Sequence, residues 1–301
     1  MSALKNSSYF SIVLAGLKLV AFVWSGSLIV AASLVDSLVD ALISFVNYRT
    51  QKLAHEGPDQ EHPFGHGGFE VVASLAQGGI ILISGLLIVA GAISQLYVGD
   101  AMLHDGASGY FALGTMAFAS FSGLGISLYL GRHLKNIKAK NERSLSIEAD
   151  RAHYLSDFYT NQVGFLSLGV AILFNLSEAD ALGGAFGGIL VLKTGLPILK
   201  QSFSDIVNQG LSPEEQKSIV QIVLPCHEQI LGIHRLRSRR LGPHTFIDFH
   251  LKLPAEMVLR EAHDIAELVV AKLKQDFPTM DVVIHLDPDD EPDDDIFDPA
   301  F

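Results

Sequence analysis

A chain of 301 residues that is 49% hydrophobic, with a mean hydropathy of +0.33, is too apolar for an ordinary soluble protein and too charged to lie wholly in lipid. A membrane part joined to a soluble part is therefore expected. Its single cysteine, Cys226, excludes an intrachain disulfide framework and a Cys-rich zinc finger, so metal chemistry would rest on carboxylates and the twelve histidines. The formal net charge of −12 argues against a nucleic-acid partner, and much of it belongs to residues 287–301, which hold eight acidic residues and no Lys or Arg.

A helix needs about 20 mostly apolar residues to span hydrocarbon, where no water satisfies its backbone. Six stretches meet this, at residues 9–26, 28–48, 69–97, 110–130, 147–174 and 179–200. The first could pass for a signal peptide, but a second span follows at once, so it is read as uncleaved. Arg49 and Lys52 follow the second span, and Arg132, Lys135, Lys138, Lys140 and Arg143 follow the fourth, whereas 98–109 and 175–178 have no Lys or Arg. That bias puts both termini in the cytoplasm. Gly183, Gly184, Gly187 and Gly188 in the sixth span are read as close helix packing.

Ionisable groups within spans default to function. In the second span Asp36 and Asp40 are four apart, which sets both carboxyls on one helical face. His153 and Asp157 repeat that spacing in the fifth. Spans two and five can thus bring one imidazole and three carboxylates together as a four-ligand cage. Such an N/O donor set suits zinc and tolerates iron(II), cobalt or cadmium, whereas Mg²⁺ and Ca²⁺ prefer six or more oxygens. The alternative is interhelical hydrogen bonding or a polar pore lining. Between spans two and three, Asp59, His62 and His66 lie in a short loop that can wrap one ion, although such a loop is more often plain surface.

From Ser212-Pro213-Glu214-Glu215, a helix-start signal, the chain turns to mixed polar and apolar. Helix 213–224, strands 232–238 and 245–253, helix 255–275 and strand 281–286 are expected to form a small α+β domain. Ile247, Phe249, Leu251 and Leu253 would line its core, with His250 on the opposite face. His234, His263, His285 and Asp287 also occur there, but their separations say little about convergence. The expected organisation is an α-helical membrane domain of six transmembrane helices (1–208), a cytoplasmic metal-binding dimerisation domain (209–288) and an acidic disordered tail (289–301). A soluble domain of this size is near the lower limit for a self-sufficient core, so dimerisation would help it.

Taken in order, the six spans, the two four-residue ligand pairs, Phe64-Gly65-His66-Gly67 and the closing Ile284-His285-Leu286-Asp287-Pro288 resemble the cation diffusion facilitator family, particularly its bacterial zinc and ferrous-iron efflux members. The resemblance covers nearly the whole chain. It implies a multi-pass protein of the bacterial inner membrane, with a transport site at Asp36, Asp40, His153 and Asp157 and a loop site at Asp59, His62 and His66. It further implies a cytoplasmic binuclear site at His234, His250, His263, His285 and Asp287 that bridges or stabilises a homodimer, in a metallochaperone-like αββαβ domain. Zn²⁺ would be both substrate and structural or regulatory ion, with no organic cofactor. The histidine in span five argues against manganese.

One departure stands out: many relatives carry a Lys two residues after the last loop histidine, paired with an Asp beyond span six to lock the dimer. Here that position is Gly68, with Asp205 still present, so the lock is absent or rebuilt. The expected function is secondary active efflux of a divalent cation against protons by alternating access. A metal channel or membrane metal sensor could use the same ligands, whereas a di-iron enzyme would want a Glu-x-x-His pair that no span contains.

Overall fold

The computed structural model describes residues 2–25, 28–98, 107–174 and 177–290. The chain divides into two compact units, Met1–Lys135 with Ser144–Phe203, and Asn136–Arg143 with Ser204–Phe301. Six long helices make up the first: α1 (Ser2–Ser25), α2 (Leu28–Ala54), α3 (Gly67–Val98), α4 (Ala107–Lys138), α5 (Leu145–Phe174) and α6 (Ser177–Ile206), whose last residues enter the second unit.

Helices α2, α4 and α6 run well past their apolar stretches, because Lys, Arg and Gln are good helix formers once the chain reaches water. The expected basic loop after the fourth span is therefore mostly helix, with Arg132, Lys135 and Lys138 on the last turns of α4. The turn that follows uses Asn141 at φ 54, a left-handed conformation asparagine tolerates. Among the described residues, Gly67–Tyr97 and Ala181–Ile206 are long and apolar enough to cross a membrane by composition alone. Large apolar side chains such as Val72, Ile83, Leu86, Leu87 and Phe121 face outward, an arrangement that suits lipid rather than water.

Glycines set the closest approach in this unit. A Cβ at Gly188 of α6 would lie 2.7 Å from Val89 Cγ2 and 3.0 Å from the Gly85 carbonyl of α3, and one at Gly183 would lie 2.2 Å from Ser167 Cβ of α5. Gly184 and Gly187 meet only ordinary contacts. Close packing thus explains two of the four glycines singled out in the sequence.

The second unit contains α7 (Pro213–Val223), β1 (Gly232–Leu241), β2 (His244–Leu253), α8 (Leu259–Asp276) and β3 (Met280–Pro288). Ser212 caps α7 by accepting from the Glu215 N–H, while the Glu215 carboxyl accepts from the Ser212 N–H, with Pro213 at the first helical position. The sheet order is β1-β2-β3, antiparallel across β1/β2 and parallel across β2/β3. The parallel pair requires the crossover that α8 supplies. Ile247, Phe249, Leu251 and Leu253 are buried against Ile219 and Val223 of α7 and Ile265, Val269 and Leu273 of α8. The second helix starts at Leu259 rather than near 255, because Pro254 opens a turn closed by Met257 N–H to its carbonyl.

Candidate functional site

Three clusters of His and carboxylate groups are each drawn together so that their donor atoms lie within 4.8 Å of one another. The first joins α2 to α5. His153 Nε2 is 3.0 Å from Asp40 Oδ1 and 3.5 Å from Asp157 Oδ2. A tetrahedral zinc with bonds of about 2.05 Å has ligand atoms about 3.4 Å apart, so these separations suit one ion with small adjustment. Asp36 lies one turn before Asp40 on α2, and its side chain lies outside the described residues. Gly123 of α4 lets the chain pack here, since a Cβ would lie 3.1 Å from the Tyr154 carbonyl.

The second cluster is the loop. Asp59 Oδ1 accepts from the N–H groups of Glu61 and His62, while Asp59 Oδ2 lies 3.2 Å from His66 Nε2. The His62 and His66 rings are 4.5 Å apart, brought there by a turn in which Gly65 takes φ 79. The His62 N–H is the main cause holding the Asp59 carboxyl below its ordinary range, against desolvation, with the Glu61 N–H and the two imidazoles assisting. The loop therefore offers an ionised carboxylate and two imidazoles.

The third cluster depends on strand register. His234, His250 and His285 are direct neighbours across β1, β2 and β3. Asp287, two residues beyond His285 on the same face, lies 2.9 Å from His234 Nε2, 2.7 Å from His250 Nδ1 and 3.1 Å from His285 Nε2. A bulge between His234 and Arg237, with Arg235 at φ 51, supplies the extra residue that sets His234 rather than Arg235 opposite His250. Partial burial raises the Asp287 pKa, but the His250 hydrogen bond and the neighbouring imidazoles outweigh it, leaving the carboxyl below its usual range. His263 lies on the exposed face of α8 and is not in the cluster.

A family description, the cation efflux transmembrane domain, matches residues 4–207, and a second, the cation efflux protein cytoplasmic domain, matches residues 211–289. The chain belongs to the cation diffusion facilitator family. It is 31% identical over 287 residues to the cation-efflux pump FieF of Serratia proteamaculans, covering 95% of this chain and 92% of that protein. It is 32% identical over 272 residues to the FieF of Klebsiella pneumoniae strain 342, covering 90% and 87%. A solved structure of the zinc transporter CzrB in its zinc form is 32% identical, covers 29% of this chain and 98% of that one, and gives a TM-score of 0.27. This facilitator is thus a cation efflux transporter of the bacterial inner membrane, with a cytoplasmic dimerisation domain.

Two buried acidic groups have partners that the sequence does not announce, although Asp205 itself is visible there. Asp205, beyond the sixth span, is buried and taken up by the Arg143 guanidinium at 3.3 Å and by the Gly242 N–H at 3.3 Å. Below the first cluster, Asp150 is fully buried and accepts from Ser7 (2.8 Å), Ser44 (3.0 Å) and Asn47 (3.3 Å). The Tyr154 hydroxyl joins the same group through Ser11 and Ser44. The visible signal was the polar run Asp40, Ser44, Asn47, Gln51, spaced four, three and four along one face of α2.

Proposed function

We propose that the chain exports a divalent cation, zinc first and iron(II), cadmium or cobalt by the same chemistry, in exchange for protons through Asp36, Asp40, His153 and Asp157. The observation that carries this reading is one imidazole and two carboxylates within 4.8 Å of one another in helices of a cation efflux transmembrane domain. An N/O set without thiolate favours zinc and its borderline neighbours over Mg²⁺ or Ca²⁺.

In the cycle, deprotonated Asp36, Asp40 and Asp157 with neutral His153 take the dication from the cytoplasm, leaving about one negative charge from three carboxylates and one dication. After the site turns outward, protons compete for His153 and a carboxylate, release the metal and neutralise the cage for its return. The motion is a rocking of the group containing α2 and α5 against α3 and α6, an analogy to the family that gains support from the tight α3/α6 glycine seam. Both termini face the cytoplasm. The Lys and Arg bias and the continuity of α6 with the cytoplasmic domain support that orientation.

The cytoplasmic donors, three imidazoles and one carboxylate, fit a zinc ion held by His234, His250, His285 and Asp287, which would stabilise or regulate a homodimer; His263 lies outside this cluster and would serve a second ion of a binuclear site. Asp59, His62 and His66 form a third site, at the loop. The deciding experiment on the transport site is Asp157→Ala in the full chain. Zinc transport into proteoliposomes falls to background while the thermal melt and elution volume stay those of wild type. Normal transport by that variant would remove the site from the mechanism. Zinc binding by wild type without any flux would favour a membrane sensor.

A further inference from the structure

Nine buried side-chain polar atoms have no hydrogen-bond partner among the described residues, and six of them belong to α2, α3, α5 and α6. They are Gln51 Oε1, Glu70 Oε2, Ser74 Oγ, Gln77 Nε2, Ser146 Oγ and Ser202 Oγ, on residues at most 3% exposed. An unsatisfied buried polar atom costs about 1–3 kcal/mol, so six in one place call for a polar occupant. Hydrogen bonds through Ser144 and a close approach of α3 to α6 draw these residues together. Ser144 Oγ donates to Glu70 Oε1 at 2.6 Å and receives Gln51 Nε2 at 3.1 Å, and Ser146 N–H donates to the same Glu70 oxygen at 2.7 Å. Ser74 and Gln77 follow Glu70 at one and two turns on α3. The approach of Gly78 to the Leu199 backbone, 3.1 Å from a Cβ there, sets α3 and α6 level, with Ser202 one turn beyond Leu199 and Ser74 one turn before Gly78.

The group connects to the transport cluster. Asn47 donates to Gln77 at 2.7 Å and to Asp150 at 3.3 Å, and Ser44 donates to Asp150 at 3.0 Å. Asp40 follows one turn further along the same face of α2. Glu70 is anchored through one oxygen by Ser144 and by the Ser146 N–H at the start of α5, while its other oxygen has no hydrogen-bond partner among the described residues.

On the export reading above, we infer that this vault is a loading station. Glu70 and its neutral oxygen neighbours take up the hydrated dication from the cytoplasmic side and pass it along the polar face of α2 to Asp40, His153 and Asp157. A single carboxyl with three hydroxyls and one amide oxygen, that of Gln51, holds a hydrated ion loosely, the Gln77 amide nitrogen suiting the ion's water rather than the ion, and the acidic cage beyond attracts it more strongly, so the ion enters without being trapped.

The test uses the full chain in proteoliposomes with Zn²⁺ as probe. Glu70→Gln raises KM about tenfold and leaves the saturating rate within about twofold, the signature of lost ground-state binding. An unchanged KM, with wild type active and Asp157→Ala silent, overturns the station and leaves export standing; a silent wild type overturns the export reading instead. Should Glu70→Gln misfold, a second arm decides. Ser202→Cys in a Cys226→Ser background is labelled from the cytoplasmic side by a cationic methanethiosulfonate, and Zn²⁺ slows the labelling. Absence of labelling, or labelling indifferent to Zn²⁺, overturns the proposal.

Discussion

Among single residues, Asp150 and Tyr154 bear most directly on how the transport cluster is held. Asp150 sits one turn before His153 on α5 and ties α1 through Ser7 and α2 through Ser44 and Asn47. Asp150→Ala would leave those donors buried and unpaired, and it is expected to destabilise the protein by about 3 kcal/mol. Tyr154→Phe, which keeps the ring and loses one hydroxyl, is expected to cost about 1 kcal/mol. Thermal melts of the purified full-length variants check both, and equal melting points would show that the network does not bind the helices. These residues escaped the sequence reading because Asp150 stands near the start of a span, where an acidic residue reads as an interface group. Only the neighbouring helices reveal that it is enclosed. The spacing of His153 and Asp157 and the place of Asp40 on its face of α2 were legible, since a four-residue spacing in an apolar run is a property of one helix, while the Asp36 side chain lies outside the described residues.

At the scale of elements, the α3/α6 seam and the α7 cap make separate predictions. Gly188→Val drives branched methyls against Val89 and the fixed Gly85 carbonyl. Overpacking of that kind costs about 1–3 kcal/mol, so the melt should fall and transport should weaken. An unchanged melt would mean that the seam yields. Ser212→Ala removes the α7 cap and should cost about 1 kcal/mol.

The cap also carries a pH signature. Partial burial alone would raise the Glu215 pKa, but the Ser212 N–H and the Arg240 guanidinium outweigh it and hold the carboxyl below its ordinary range. A carboxyl lowered in the fold stabilises it above the ordinary value of about 4.3 and loses that contribution as pH falls through the lowered value. Stability curves of wild type and Glu215→Gln should therefore converge toward acid, and parallel curves would contradict the assignment. The αββαβ alternation was legible from Ile247, Phe249, Leu251 and Leu253. The histidine rung was not, because His234, His250 and His285 meet only through strand register and a bulge at Arg235 that no periodicity announces.

For the whole molecule, the chain divides into two compact units, as the membrane-plus-soluble composition suggested. The Asp40, His153 and Asp157 cluster lies among helices whose outward side chains are apolar, and the imidazole-rich cluster lies on the three-stranded sheet. If the latter stabilises the dimer, changing His234 and His285 together to Ala should weaken the dimer at every zinc level. If it regulates, the same pair should remove only zinc-dependent activation, with dimer mass unchanged by light scattering.

The central claim, exchange of a dication for protons, is tested most directly by zinc flux into proteoliposomes holding the full chain under an imposed pH gradient, with the gradient reversed in a parallel sample. The account predicts that zinc moves opposite to the proton gradient in both samples and that Asp157→Ala abolishes both fluxes. Zinc flux indifferent to the direction of the gradient would contradict it.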